Sequence, residues 1–167
     1  MIYAIATPAA LSAYSAANKS DIPVIFCAVS DPVAAGLTES LEAGYNNCNG
    51  TSDILDFSAQ VDLIQSIQPD VKKIGVLYTT TEANSMSQLE SFKAVCTEKG
   101  IEVVDQGVSG AADIPQAATT LASQVDCINN FTDNNVVNNL SIVLEKANAA
   151  NIPVYGSEIE QVKNGCL

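Results

Sequence analysis

Five short stretches of this 167-residue chain combine small polar or acidic residues with the start of a helical pattern. They are Thr7-Pro8-Ala9, Ser30-Asp31-Pro32, Thr79 to Ser85 with Glu82, Asn84 and Ser85, Thr132-Asp133-Asn134, and Ser157-Glu158. Thr7-Pro8 and Asp31-Pro32 read as an N-cap residue followed by proline at the first helical position, which leaves backbone N–H groups unpaired at the helix start. Such a start attracts an anion such as a carboxylate. The same residue types also cap helices with no ligand involved, so one junction by itself does not separate the two uses.

Other chemistries lack their residues. The chain contains no histidine, which removes the commonest general base and the commonest zinc ligand. It has no G-x-S-x-G elbow, no G-x-x-x-x-G-K-[ST] loop and no G-x-G-x-x-G turn. No enzyme, metal site or cofactor is expected. Cys27, Cys48, Cys96, Cys127 and Cys166 are odd in number and scattered, with no C-x-x-C pair. Cys27, Cys96 and Cys127 sit in apolar contexts and read as small buried hydrophobes, whereas Cys48 and Cys166 lie in polar or terminal stretches and read as exposed. Seven basic residues against nineteen acidic ones give a formal charge of -12, the wrong sign for nucleic acid or anionic lipid.

The elements that would position the five junctions alternate. Short β-rich runs at 2–6, 24–30, 74–78, 101–108, 125–131 and 154–157 are separated by helical patterns. Leu89, Phe92 and Cys96 share one face of a segment near 85–99, and Val136, Leu140, Val143, Leu144 and Ala147 share one further on. The nearly continuous apolar run Val24 to Val29 suits a parallel sheet covered on both faces, so the fold class is α/β. In such a sheet the strand-to-helix junctions gather at one edge, where ligands bind. The polar, turn-rich stretch 45–53 reads as a boundary, and Phe57, Val61, Ile64 and Ile67 form a stripe that can pack a following helix on the first unit. The expected division is residues 1–68 in a first lobe, with a crossover near 50–72, and 73–167 in a second.

The chain resembles a known family at many points in order. Ile22-Pro23-Val24-Ile25-Phe26, Ala28-Val29-Ser30-Asp31-Pro32-Val33, Gly36-Leu37, Gly50-Thr51-Ser52-Asp53, Lys73-Ile74-Gly75-Val76-Leu77-Tyr78, Glu82-Ala83-Asn84-Ser85, Thr132-Asp133-Asn134 and Val162-Lys163-Asn164-Gly165 look like ABC-transporter substrate-binding proteins of the tryptophan/tyrosine-type group. The stretch 45–49 replaces a Pro-Gly-Gly-rich turn, and Phe131 stands where proline is common. The resemblance implies a two-lobed type I periplasmic-binding-protein fold, held outside the cytoplasm as a lipoprotein or in the periplasm. It also implies that the chain is an incomplete central fragment, able to self-associate through open strand edges.

On that resemblance the ligand is a small solute, an amino acid, and the partner is a membrane permease. Thr7, Ala9, Ser30 and Asp31 would hold the ligand carboxylate, and Asp133 or Glu158 would pair with its ammonium. Glu82, Asn84, Ser85, Thr132, Asn134 and Ser157 complete the expected ligand-binding set, with Tyr78 and Phe131 as aromatic candidates. The ligand-sensing domain of a transcription regulator and an α/β enzyme are the alternative readings.

Overall fold

The computed structural model describes residues 1–167 and contains two compact units, Met1–Leu55 with Glu82–Ser87, and Asp56–Thr81 with Gln88–Leu167. In the first, β1 (Ile2–Ile5), α1 (Thr7–Ala17), β2 (Val24–Val29) and β3 (Cys48–Ser52) build a parallel sheet in the order β1-β2-β3. Its core joins Ala4, Val24, Phe26, Val29 and Cys48 to Ala10 and Ala17 of α1 and to Leu37. Strand periodicity sends Tyr3 and Ile5 to the opposite face, where they are 60% and 62% exposed. The continuous apolar pattern is therefore covered on one face only in β1.

Strand β3 was unexpected, because Cys-Asn-Gly-Thr-Ser reads as a turn. The strand forms because Gly50 has no side chain: a Cβ there would lie 2.1 Å from the Phe26 carbonyl oxygen and 2.4 Å from its ring. Tertiary closeness to β2, which bulges between Phe26 and Val29 with Ala28 at φ 53°, overrides local propensity.

The second unit comprises α2 (Phe57–Ile67), β4 (Lys73–Thr79), α3 (Ala83–Glu98, whose start at 83–87 belongs to the first unit), β5 (Glu102–Val108), a 3-10 turn at Ala111–Asp113, α4 (Ile114–Ala122), β6 (Cys127–Asn129), α5 (Asn134–Asn138), α6 (Leu140–Ala149), β7 (Val154–Tyr155) and α7 (Ile159–Lys163). Its four strands are parallel in the order β5-β4-β6-β7. One core gathers Leu77, Ile128, Ile114, Ala118, Leu121, Val136, Leu140 and Val143. Elsewhere in the unit Phe57, Phe92 and Phe131 meet edge-to-face or tilted, with ring centroids 5.4, 5.4 and 5.5 Å apart.

That aromatic cluster groups α2 with the second unit, which begins at Asp56. The Asp56 side chain accepts from the Ala59 N–H at 3.0 Å and caps α2, which stops at Gln68 before Pro69. The apolar periodicity from Val136 to Ala147 is broken at Asn139, whose amide donates to the Asn135 carbonyl at 2.8 Å and so parts α5 from α6.

Asp126 ties the entry of β4 to that of β6. Its Oδ2 accepts from the Lys72 and Lys73 N–H groups at 2.8 Å each, and these bonds hold its carboxyl below the usual range. A depressed folded value means that the stabilisation is complete above the unfolded value of about 3.9 and is lost as pH falls through the folded one. Asp126→Asn should therefore melt below the parent at neutral pH, with the gap closing as pH falls through the depressed folded value. Parallel melts across pH check this, and a gap that persists in acid would refute it.

Candidate functional site

In the first unit the junctions present neutral polar groups and two acids, Asp31 and Glu82. Helix α1 begins at Thr7, with Ala6 at the N-cap (φ 68°) and no side-chain cap, so Thr7 is the first helical residue and Pro8 the second. This corrects the expectation of a Thr7 N-cap: the turn is held by the backbone, with the Ala6 N–H on the Cys27 carbonyl at 2.9 Å. The first helical bond runs from the Ala10 N–H to the Ala6 carbonyl. The N–H groups of Thr7 and Ala9 thus lie ahead of the intrahelical ladder, and Pro8 has none.

Asp31 does not start a helix either. Residues 32–36 make turns, with the Leu37 N–H on the Pro32 carbonyl at 2.9 Å and Gly36 at φ 71°. The Asp31 carboxylate accepts from the Ala34 N–H at 2.9 Å and from the Ser87 hydroxyl at 2.6 Å. Ser30 is buried, and its carbonyl accepts from the Ser52 hydroxyl at 3.2 Å. Glu82, Asn84 and Ser85 are buried in the same unit, and the Asn84 amide reaches Glu82 Oε2 at 3.4 Å and Ser85 Oγ at 3.5 Å. The unit thus brings together Thr7, Ala9, Ser30, Asp31, Glu82, Asn84 and Ser85, although the last three follow β4 in sequence.

In the second unit the two acids act on backbone. Asp133 is fully buried; one oxygen accepts from the Thr79 N–H at 2.6 Å, the other from the Thr79 hydroxyl at 2.8 Å and the Val136 N–H at 2.9 Å. It caps α5 and pins it to the end of β4. Glu158 caps α7, accepting from the Glu160 N–H at 2.7 Å and the Gln161 N–H at 2.8 Å. The Ser157 hydroxyl donates to the Asn130 carbonyl at 2.6 Å, Thr132 is half-buried and Asn134 is exposed.

Several amides here, Gln161 and Gln88 buried and Gln60 half-buried, were missed from the sequence. Gln161, 1% exposed, accepts at Oε1 from the Asn130 amide and the Ser157 N–H, both at 3.1 Å, and donates to the Phe131 carbonyl at 2.9 Å. The Gln60 amide donates to Asn129 Oδ1 at 2.9 Å and to the Gly156 carbonyl at 3.0 Å. Gln88 Nε2 donates to the Thr132 hydroxyl at 2.8 Å. Gln88 was legible in principle, lying four residues after Asn84 and three after Ser85 on one helix; nothing in the patterns around Gln60 or Gln161 marks them.

Phe131 is buried in the aromatic cluster, while Tyr78 is half-buried, its hydroxyl pushed above its ordinary range by burial and by Asp105. The cysteine expectation is partly reversed. Cys48 and Cys166 are buried, because β3 packs on β2 and the Cys166 N–H is tied to the Gln161 carbonyl, while Cys27 is the half-exposed one. Burial pushes Cys96 and Cys127 up to about 12 and Cys166 to about 11. Hydrogen bonding to Tyr3, and then to Thr51, lowers Cys27. No three His, Cys, Asp or Glu side chains gather as a metal would need, and no helix is long and apolar enough to cross a membrane.

The geometry offers backbone N–H groups, hydroxyls and amides at strand ends, suited to holding a small polar solute. A tyrosine-binding protein of Clostridioides difficile (strain R20291) is 41% identical over 167 residues, all of this chain and 48% of that protein. The chain thus spans about half the length of the curated relative it matches. A solved ABC domain in complex with L-Trp from Streptococcus pneumonia is 35% identical with a TM-score of 0.95, over 100% of this chain and 56% of that one. A conserved domain protein from Vibrio cholerae is 36% identical with a TM-score of 0.94, over 99% and 55%. The family described as ABC transporter substrate binding protein matches residues 1–167, and the chain belongs to that family.

Proposed function

We propose that this chain is the ligand-holding part of an ABC importer's substrate-binding protein, acting outside the cytoplasm without turnover and taking a free aromatic amino acid of the tryptophan or tyrosine kind. The observation that carries the reading is the 41% identity, over every residue of the chain, to a tyrosine-binding protein. The L-Trp complex of a structure with a TM-score of 0.95 supports the same ligand class. In this reading the N–H groups of Thr7 and Ala9 and the polar set around Ser30 and Ser85 receive the ligand carboxylate. Asp133 and Glu158, already accepting from backbone donors, shape the loops of the second unit. The loaded protein would then dock on a membrane permease.

A thermal-shift panel tests the assignment on the full-length protein that carries these residues. Ligand at about 100 times its dissociation constant adds about 2.7 kcal/mol. L-tryptophan or L-tyrosine is expected to raise the midpoint clearly, while nucleotides and sugars leave it in place. A panel in which no amino acid moves the midpoint would overturn the function.

A further inference from the structure

We propose that Gln88 is a ligand-reading residue, its side-chain oxygen accepting from the amino group of the bound amino acid; this deepens, and rests on, the function proposed above. Gln88 is 5% exposed on α3, and its amide is anchored at one end only. Nε2 donates to the Thr132 hydroxyl at 2.8 Å, while Oε1 is sealed from solvent with no hydrogen-bond partner in the protein. A buried amide oxygen left without a donor is destabilising, so its retention calls for a donor that the polypeptide does not supply. Thr132 fixes the plane of the amide, and that plane sets the direction in which Oε1 points.

The neighbouring chemistry says which donor suits it. The acids expected to meet an ammonium, Asp133 and Glu158, have their oxygens on Thr79, Val136, Glu160 and Gln161. Asn130, on the same loop as Thr132, is buried and likewise keeps Oδ1 without a partner while its amide nitrogen is held by Gln161. The second unit therefore offers neutral acceptors held by their nitrogens. An ammonium carries three donors and no acceptor, and it fits such oxygens. A site built around that hydrogen bond rejects an analogue lacking the amino group.

Calorimetry on the full-length protein carrying these residues, with L-tyrosine, L-tryptophan, 3-(4-hydroxyphenyl)propanoate and tyramine, tests the assignment. Gln88→Leu is expected to weaken both amino acids by about 10- to 100-fold and to change the desamino analogue by less than about threefold. Gln88→Glu keeps an acceptor and adds charge, so it should raise the preference for L-tyrosine over the desamino analogue by about tenfold, a readout that stands even if the leucine variant fails to fold. Equal losses for L-tyrosine and the desamino analogue would show a merely structural residue and overturn the proposal. A loss specific to ligands with a carboxylate, sparing tyramine, would overturn it as well. If the parent binds neither amino acid, the function itself fails and this proposal with it, an outcome distinct from a parent that binds and a variant that matches it.

Discussion

Valine at position 50 is expected to detach β3 from β2 and to unfold the first unit's sheet at temperatures where the parent is intact. An added Cβ would lie 2.1 Å from the Phe26 carbonyl oxygen and 2.4 to 2.5 Å from two of its ring atoms, so backbone and a buried aromatic must both move. Overpacking a core with a methylene costs about 1 to 3 kcal/mol. Here a backbone carbonyl is in the way, and a loss of about 3 kcal/mol or more follows. The Val24 N–H, bonded to the Asn47 carbonyl at 2.9 Å just before β3, should lose its exchange protection. Hydrogen exchange read residue by residue checks this; unchanged protection across 24–29 with an unshifted melt would refute the account of β3.

Asp133→Ala should cost stability first. The substitution leaves the Thr79 and Val136 N–H groups without their acceptor in a fully buried place and removes the cap of α5. An orphaned buried donor costs about 1 to 3 kcal/mol, so a total near 3 kcal/mol is expected. At about 2 to 4 °C per kcal/mol for a chain of this size, the melting midpoint falls by about 6 to 12 °C. Asp133→Asn, which keeps one acceptor, should lose less. Were the midpoint of Asp133→Ala unchanged and amino-acid affinity cut at least tenfold, Asp133 would instead be a ligand residue.

The two variants mark where local pattern ends and tertiary contact begins. The apolar runs of β2 and β4, the stripes Leu89-Phe92-Cys96 and Val136-Leu140-Val143, and their alternation determined the α/β class from sequence alone. These signals are local: a strand covered on both faces must be continuously apolar, and a helix on a sheet must carry an apolar stripe. The strand-to-helix junctions were legible for the same reason, since polar residues cluster where ladders end. The order of segments quoted for the family resemblance carried the family itself.

Tertiary structure alone decided the rest. Strand β3 is polar in sequence and exists because Gly50 fits against Phe26, a residue 24 positions earlier by the numbering. Helix α2 follows the first unit in sequence yet joins Phe92 and Phe131, so ring contacts with distant residues overrode chain order. Sequence shows that Asp133 and Glu158 are acids beside helix starts, but whether an acid meets a ligand or a backbone N–H depends on which donors lie within 3 Å. In the folded chain those donors are Thr79 and Val136 for one, Glu160 and Gln161 for the other. The half-buried Gln60 and the buried Gln88 and Gln161 look like surface residues on amphipathic helices. Only the packed chain shows that hydrogen-bond partners far away in sequence keep them inside.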